Sequence, residues 1–126
     1  MRILGIDYGR AKVGLALAEG RLAEPYEVIR YQDTKILSAE IEAIIEKEKI
    51  DKIIIGISEG KMGEESREFS SSLKTRLNVP VETFDETLTT QEAQKRAIEA
   101  GVRRQKRKQF EDAFAASIML QSYLDR

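Results

Sequence analysis

Met1-Arg2-Ile3-Leu4-Gly5-Ile6-Asp7-Tyr8-Gly9 is the stretch that decides the fold. Ile3 to Ile6 reads as a strand, Tyr8-Gly9 as the turn that ends it, and Asp7 as a carboxylate at the strand's carboxyl end. Lys12 to Ala18 follows closely enough to return as a hairpin partner, and Glu27 to Tyr31 reads as a third strand. The period changes after Gln32-Asp33-Thr34. Leu37, Ile41, Ile44 and Ile45 recur at helical spacing, with Asp33 or Thr34 as N-cap. Ile53-Ile54-Ile55 is the continuous apolar run of a strand covered on both faces. Gly56 to Glu65 reads as a polar loop, Ser66 to Leu77 as a helix, and Val81 to Asp85, after Pro80, as a fifth strand. Thr89 and Glu92 have the spacing of a capping box, opening a helix to about Ala100 that Gly101 stops. Phe110 to Leu124 reads as the final helix.

The order βββαβαβα predicts an α/β fold, a mixed five-stranded sheet flanked by helices, with residues 1–126 as one domain. The first three strands meander antiparallel, and later strands join through right-handed helical crossovers. Asp7 and Glu86 then lie near the carboxyl ends of their strands, where open α/β sheets bind ligands. Asp112 lies in the first turn of the last helix, in a row with Ala115, Ala116, Met119 and Tyr123. From there it can project into the same crevice.

Three carboxylates in apolar settings call for a partner, because an ionised carboxylate is costly to bury alone. Each has an ordinary reading: Asp7 as a turn former, Glu86 and Asp112 as charges favoured at helix N-termini. Three of them at element ends around one crevice are harder to dismiss. The chain has no His and no Cys, so imidazole and thiolate chemistry are excluded. A donor set made only of oxygen suits a hard cation, Mg2+ or Mn2+, with water and substrate phosphate completing its shell. That chemistry is metal-assisted phosphodiester hydrolysis.

The net charge of −1 gives no overall attraction for nucleic acid, but Arg103, Arg104, Lys106, Arg107 and Lys108 crowd into six positions. Such a run is either a solvated loop or a phosphate-binding patch leading to Asp112. The absence of cysteine fits a reducing compartment. No secretory signal and no membrane-spanning stretch is read, and a cytoplasmic location with no membrane partner is expected.

The chain resembles the YqgF family. The likeness runs through Gly5-Ile6-Asp7-Tyr8-Gly9 with Gly14, the Ile55-Gly56 loop, Asp85-Glu86-Thr87-Leu88-Thr89-Thr90, and Asp112 with Ala115-Ala116. Gly-Ile-Asp-x-Gly alone also opens actin-like ATPases and sugar kinases, but the set in this order and spacing is specific. The resemblance implies an RNase H-like fold, kinship with Holliday junction resolvases, and maturation of the 5′ end of pre-16S ribosomal RNA. It makes Asp7, Glu86 and Asp112 the metal-binding catalytic triad. Thr87 stands where the family usually has Arg, Ser58 where Pro is common, and Lys12 where Arg is frequent. Lys12 keeps the charge without the bidentate fork.

The expected activity is therefore a metal-dependent endonuclease acting on structured RNA, with Lys12, Lys61 and the 103–108 run as nucleic-acid contacts. A DNA junction resolvase uses the same chemistry and needs two sites, hence a homodimer rather than a monomer. A nucleic-acid-binding module with little catalysis is a further reading. An actin-like ATPase, which binds nucleotide between two such domains, is argued against by length.

Overall fold

A computed structural model describes residues 1–58, 60–86 and 111–126. The elements run β1 (Arg2–Asp7), β2 (Lys12–Glu19), β3 (Leu22–Arg30), α1 (Thr34–Glu48), β4 (Lys52–Ile57), α2 (Lys61–Arg76), β5 (Val81–Asp85) and α3 (Glu111–Asp125). One sheet has the order β3-β2-β1-β4-β5. β1, β2 and β3 are antiparallel neighbours, while β1 with β4 and β4 with β5 are parallel. The mixed five-stranded sheet expected from the element order is the sheet observed. The expected helix from Thr89 to Ala100 lies outside the described residues.

Side chains alternate across the sheet and sort the core into two layers. Leu4, Ile6, Val13, Leu15, Ile53 and Ile55 pack with Leu37 and Ile41 of α1 and Phe69 and Leu73 of α2. Ile3, Ala16, Ala18 and Ile54 pack with Ala116, Met119, Leu120 and Tyr123 of α3. Ile53, Ile54 and Ile55 are each fully buried, because β4 is covered on both faces. Asp33 caps α1, its carboxylate accepting from the Lys35 N–H at 2.8 Å.

Two boundaries differ from the reading of the sequence. β3 begins at Leu22, not Glu27, after a two-residue turn with Gly20 at φ 84°. Pro25 argues against a strand, but β3 is an edge strand, where a missing N–H is tolerated. α2 begins at Lys61, not Ser66. Gly60 and Gly63 read as loop residues, yet a Cβ on Gly63 would stand 2.1 Å from the Ser58 carbonyl oxygen, so glycine there is a packing requirement.

α3 is held against the sheet along its length. Gln121 is fully buried; its Oε1 accepts from the Ala23 N–H and its Nε2 donates to the Arg21 carbonyl, each at 2.9 Å. The Tyr123 hydroxyl donates to Glu82 of β5 at 2.8 Å and accepts from Lys52 of β4 at 2.7 Å. The far end of α3 is thus tied to both halves of the sheet, and its first turn carries Asp112.

A candidate carboxylate site at the ends of the central strands

Asp7 is the last residue of β1 and pairs in register with Gly14 of β2 on one side and Gly56 of β4 on the other. These three positions form one row across the sheet, facing α3 by the same alternation that turns Ile3, Ala16 and Ile54 that way. The two glycines make room for the other two acidic residues. A Cβ on Gly14 would lie 1.9 Å from the Asp112 carbonyl oxygen, and one on Gly56 would lie 2.5 Å from Glu86 Oε1. A side chain at either position would collide with the segment carrying the next carboxylate.

The carboxyl of Asp7 is raised from its ordinary 3.8 to about 8. Burial is the largest cause, followed by a hydrogen bond to the Glu86 carboxyl, the Glu86 charge and the Asp112 charge. Two carboxyls that share a hydrogen bond hold a proton between them, since both cannot ionise at close range without a cation. Asp7 and Glu86 are therefore together, and the charge of Asp112 reaches Asp7.

Asp112 differs from its expected setting. Its side chain is one third exposed, and Ala115, expected in the same row, is exposed. Helical periodicity gave the helix, and Ala116, Met119 and Tyr123 of the expected row are buried, but Asp112 and Ala115 lie at the edge of that face. Asp112 Oδ2 instead pairs with Lys12 Nζ at 3.0 Å. Lys12, expected as a nucleic-acid contact, thus lies at the carboxylates themselves.

The remaining expected contacts fall elsewhere. Lys61 is the first residue of α2, and Arg103, Arg104, Lys106, Arg107, Lys108 and Thr87 lie outside the described residues. Tyr8, beside Asp7 but on the opposite face, stacks on Phe69 with ring centroids 4.6 Å apart and is part of the core around α2. The Tyr31 hydroxyl donates to the Gly9 carbonyl and ties down the turn after Asp7. Sequence reasoning missed the roles of Gly14, Gly56 and Gln121. Only the strand register shows that both glycines flank Asp7.

Among the described residues, no three acidic side chains stand close enough for one ion to be gripped by all of them. Mg2+ does not require such a cage, because it usually binds through one or two carboxylates and keeps several waters. The half-buried Asp7–Glu86 pair fits that need, with a proton held where a cation could replace it. Among the described residues, no helix is long and apolar enough to cross a membrane.

The family model RuvX, described as Holliday junction resolvase, matches residues 1–126. A candidate pre-16S rRNA nuclease of Bacillus subtilis (strain 168) is 40% identical over 135 residues, covering 99% of this chain and 98% of the relative. A relative of the same description from Agathobacter rectalis is 39% identical over 136 residues, covering 99% and 95%. Among solved structures, T. thermophilus RuvC in complex with a Holliday junction substrate superposes with a TM-score of 0.67 at 13% identity, covering 99% of this chain and 95% of that one. Fowlpox virus resolvase, solved with Holliday junction DNA, gives 0.61 at 14% identity, covering 99% and 97%. At such identities the likeness speaks for the fold, which is the RNase H-like fold of the resolvases.

Proposed function

The chain belongs to the RuvX family, the family that its sequence resembles under the name YqgF, and is a phosphodiester-hydrolysing enzyme; from that premise we propose that Asp7, Glu86 and Asp112 form its metal-dependent nuclease site and that its substrate is the precursor of 16S ribosomal RNA. The observation that carries the site is the hydrogen-bonded Asp7–Glu86 pair, reached from β1 and from beyond β5 across the glycine of β4. The substrate rests on the relatives, since those at about 40% identity share that description over nearly their whole length.

The residues divide the work by position. Asp7 and Glu86 would hold the cation in exchange for the proton they share, and Asp112 adds a third charge at the edge of the pair. When bound, Mg2+ or Mn2+ supplies activation of water for attack and neutralisation of charge on the phosphate. Gly14 and Gly56 keep the crevice open where side chains would fill it. Arg103, Arg104, Lys106, Arg107 and Lys108 precede α3 in the chain and supply cations that would steer the substrate backbone toward Asp112. With a pre-rRNA substrate, the enzyme works in the cytoplasm.

A DNA junction resolvase is the second reading, favoured by the family description and by the fold shared with RuvC. Incubation of the purified protein with structured RNA, duplex DNA and four-way junctions, in Mn2+ or EDTA, separates the two. Cleavage of RNA that is lost in EDTA supports the rRNA reading. Symmetric cleavage of junctions by a dimer replaces it with the resolvase. Binding without cleavage of any substrate overturns the nuclease assignment.

A further inference from the structure

Lys12 and Gly14 stand two residues apart on β2 and so share a face of the sheet. Gly14 lets the first turn of α3 approach, and Lys12 reaches the carboxylate on that turn, with Nζ 3.0 Å from Asp112 Oδ2. Other ion pairs join other carboxylates: Arg2 with Glu19 and Glu48, Arg10 with Glu65, Lys52 with Glu82, Arg76 with Glu42. Lys12 is 43% exposed and Asp112 33%. A pair so open to water contributes little to stability and is easily broken, which makes it a poor brace and a good exchange point. Lysine suits that part, being a flexible point charge without the rigid fork of arginine.

We infer that Lys12 is an exchangeable counter-ion: it neutralises Asp112 in the metal-free site, yields that carboxylate to the divalent cation, and then presents its ammonium group to the substrate phosphate. The inference rests on the nuclease reading above and assigns Lys12 a positioning role toward both metal and substrate. The step is an ion exchange, with no bond made or broken. Displacing an internal cation opposes metal binding, so the intrinsic affinity is set lower than it would be without Lys12. The site then fills most readily when substrate phosphate is present to receive the freed ammonium.

Titration of the metal-free protein with Mn2+ by calorimetry, without nucleic acid, tests the first half. Lys12→Met keeps the aliphatic stem and removes the charge; it should bind Mn2+ roughly three- to tenfold more tightly than wild type, while Lys12→Arg stays close to wild type. Single-turnover cleavage at saturating Mn2+ tests the second half, with Lys12→Met slowed at least about tenfold and Lys12→Arg largely rescued. Equal or weaker Mn2+ binding by Lys12→Met overturns the counter-ion role. Tighter binding with undiminished cleavage overturns the phosphate role. If neither wild type nor variant binds Mn2+, the metal site itself is wrong, a failure distinct from either of these.

Discussion

Asp7 and Glu86 share a carboxyl–carboxyl hydrogen bond although β4 lies between the strands that lead to them. The bond exists because Gly56 of β4 leaves space for the Glu86 side chain to fold back over that strand. A proton is thereby held between the two carboxyls.

That proton sets a pH dependence. In the metal-free protein Asp7 keeps a proton up to about pH 8, whereas the unfolded chain releases it near 3.8. The folded state binds more protons between those values, so stability falls as pH rises through this window. Asp7→Asn removes this dependence and should raise the melting temperature at pH 8, on the order of 3 kcal/mol of stability with the proton shared across the pair. Thermal melts in EDTA from pH 5 to 8 measure it, and the variant should show the flatter profile. Nuclease activity should fall at least a hundredfold in the same variant.

The two glycines beside Asp7 should respond differently to a methyl group. Gly56→Ala presses on the Glu86 side chain and on Met119 of α3, both flexible side chains that can shift, so the fold should survive while activity drops about a hundredfold from the displaced carboxylate. Gly14→Ala presses on the backbone of Asp112, which cannot move without α3. It should cost about 1–3 kcal/mol as well as activity. Urea denaturation beside a cleavage assay separates the two patterns.

Replacing three of Arg103, Arg104, Lys106, Arg107 and Lys108 by Gln should weaken nucleic-acid binding across all sequences. The log–log salt dependence should flatten by roughly 0.7–0.9 for each phosphate that is no longer neutralised. An unchanged slope assigns the run to a solvated loop.

Gln121→Leu tests the anchor of α3. It leaves the Ala23 N–H and the Arg21 carbonyl without their side-chain partner. The expected loss is about 1–3 kcal/mol for the buried Ala23 N–H, the part-buried Arg21 carbonyl adding less because it can turn to water, read from denaturant midpoints.

Buried patterns were the most legible part of this chain. β1 and β4 are apolar on both faces and could be read directly, and the helical period of α1 matched its buried Leu37 and Ile41. The first half of β3 was hidden by Pro25, whose cost depends on the strand being at an edge, a property of the whole sheet. The first turn of α2 was hidden by Gly63, which packing against the Ser58 carbonyl demands. At the candidate site, Asp7 and Glu86 were legible as carboxylates at element ends, whereas the apolar setting expected of Asp112 is not the one observed. The link between Lys12 and Asp112 was not legible, because it joins positions 100 residues apart through the β1–β2 register and the docking of α3.

The docking of α3 has a consequence for when the molecule becomes active. Asp7 is made before Asp112, and synthesis from the amino terminus lays down all five strands before the third carboxylate exists. Until Gln121 and Tyr123 engage the Arg21–Ala23 turn, Lys52 and Glu82, α3 does not cover its side of the sheet. With the triad proposed above, a nascent chain carrying Asp7 and Glu86 alone would be an incomplete nuclease. On the substrate proposed above, an enzyme directed at the RNA of ribosomes would be inert while a ribosome is still making it.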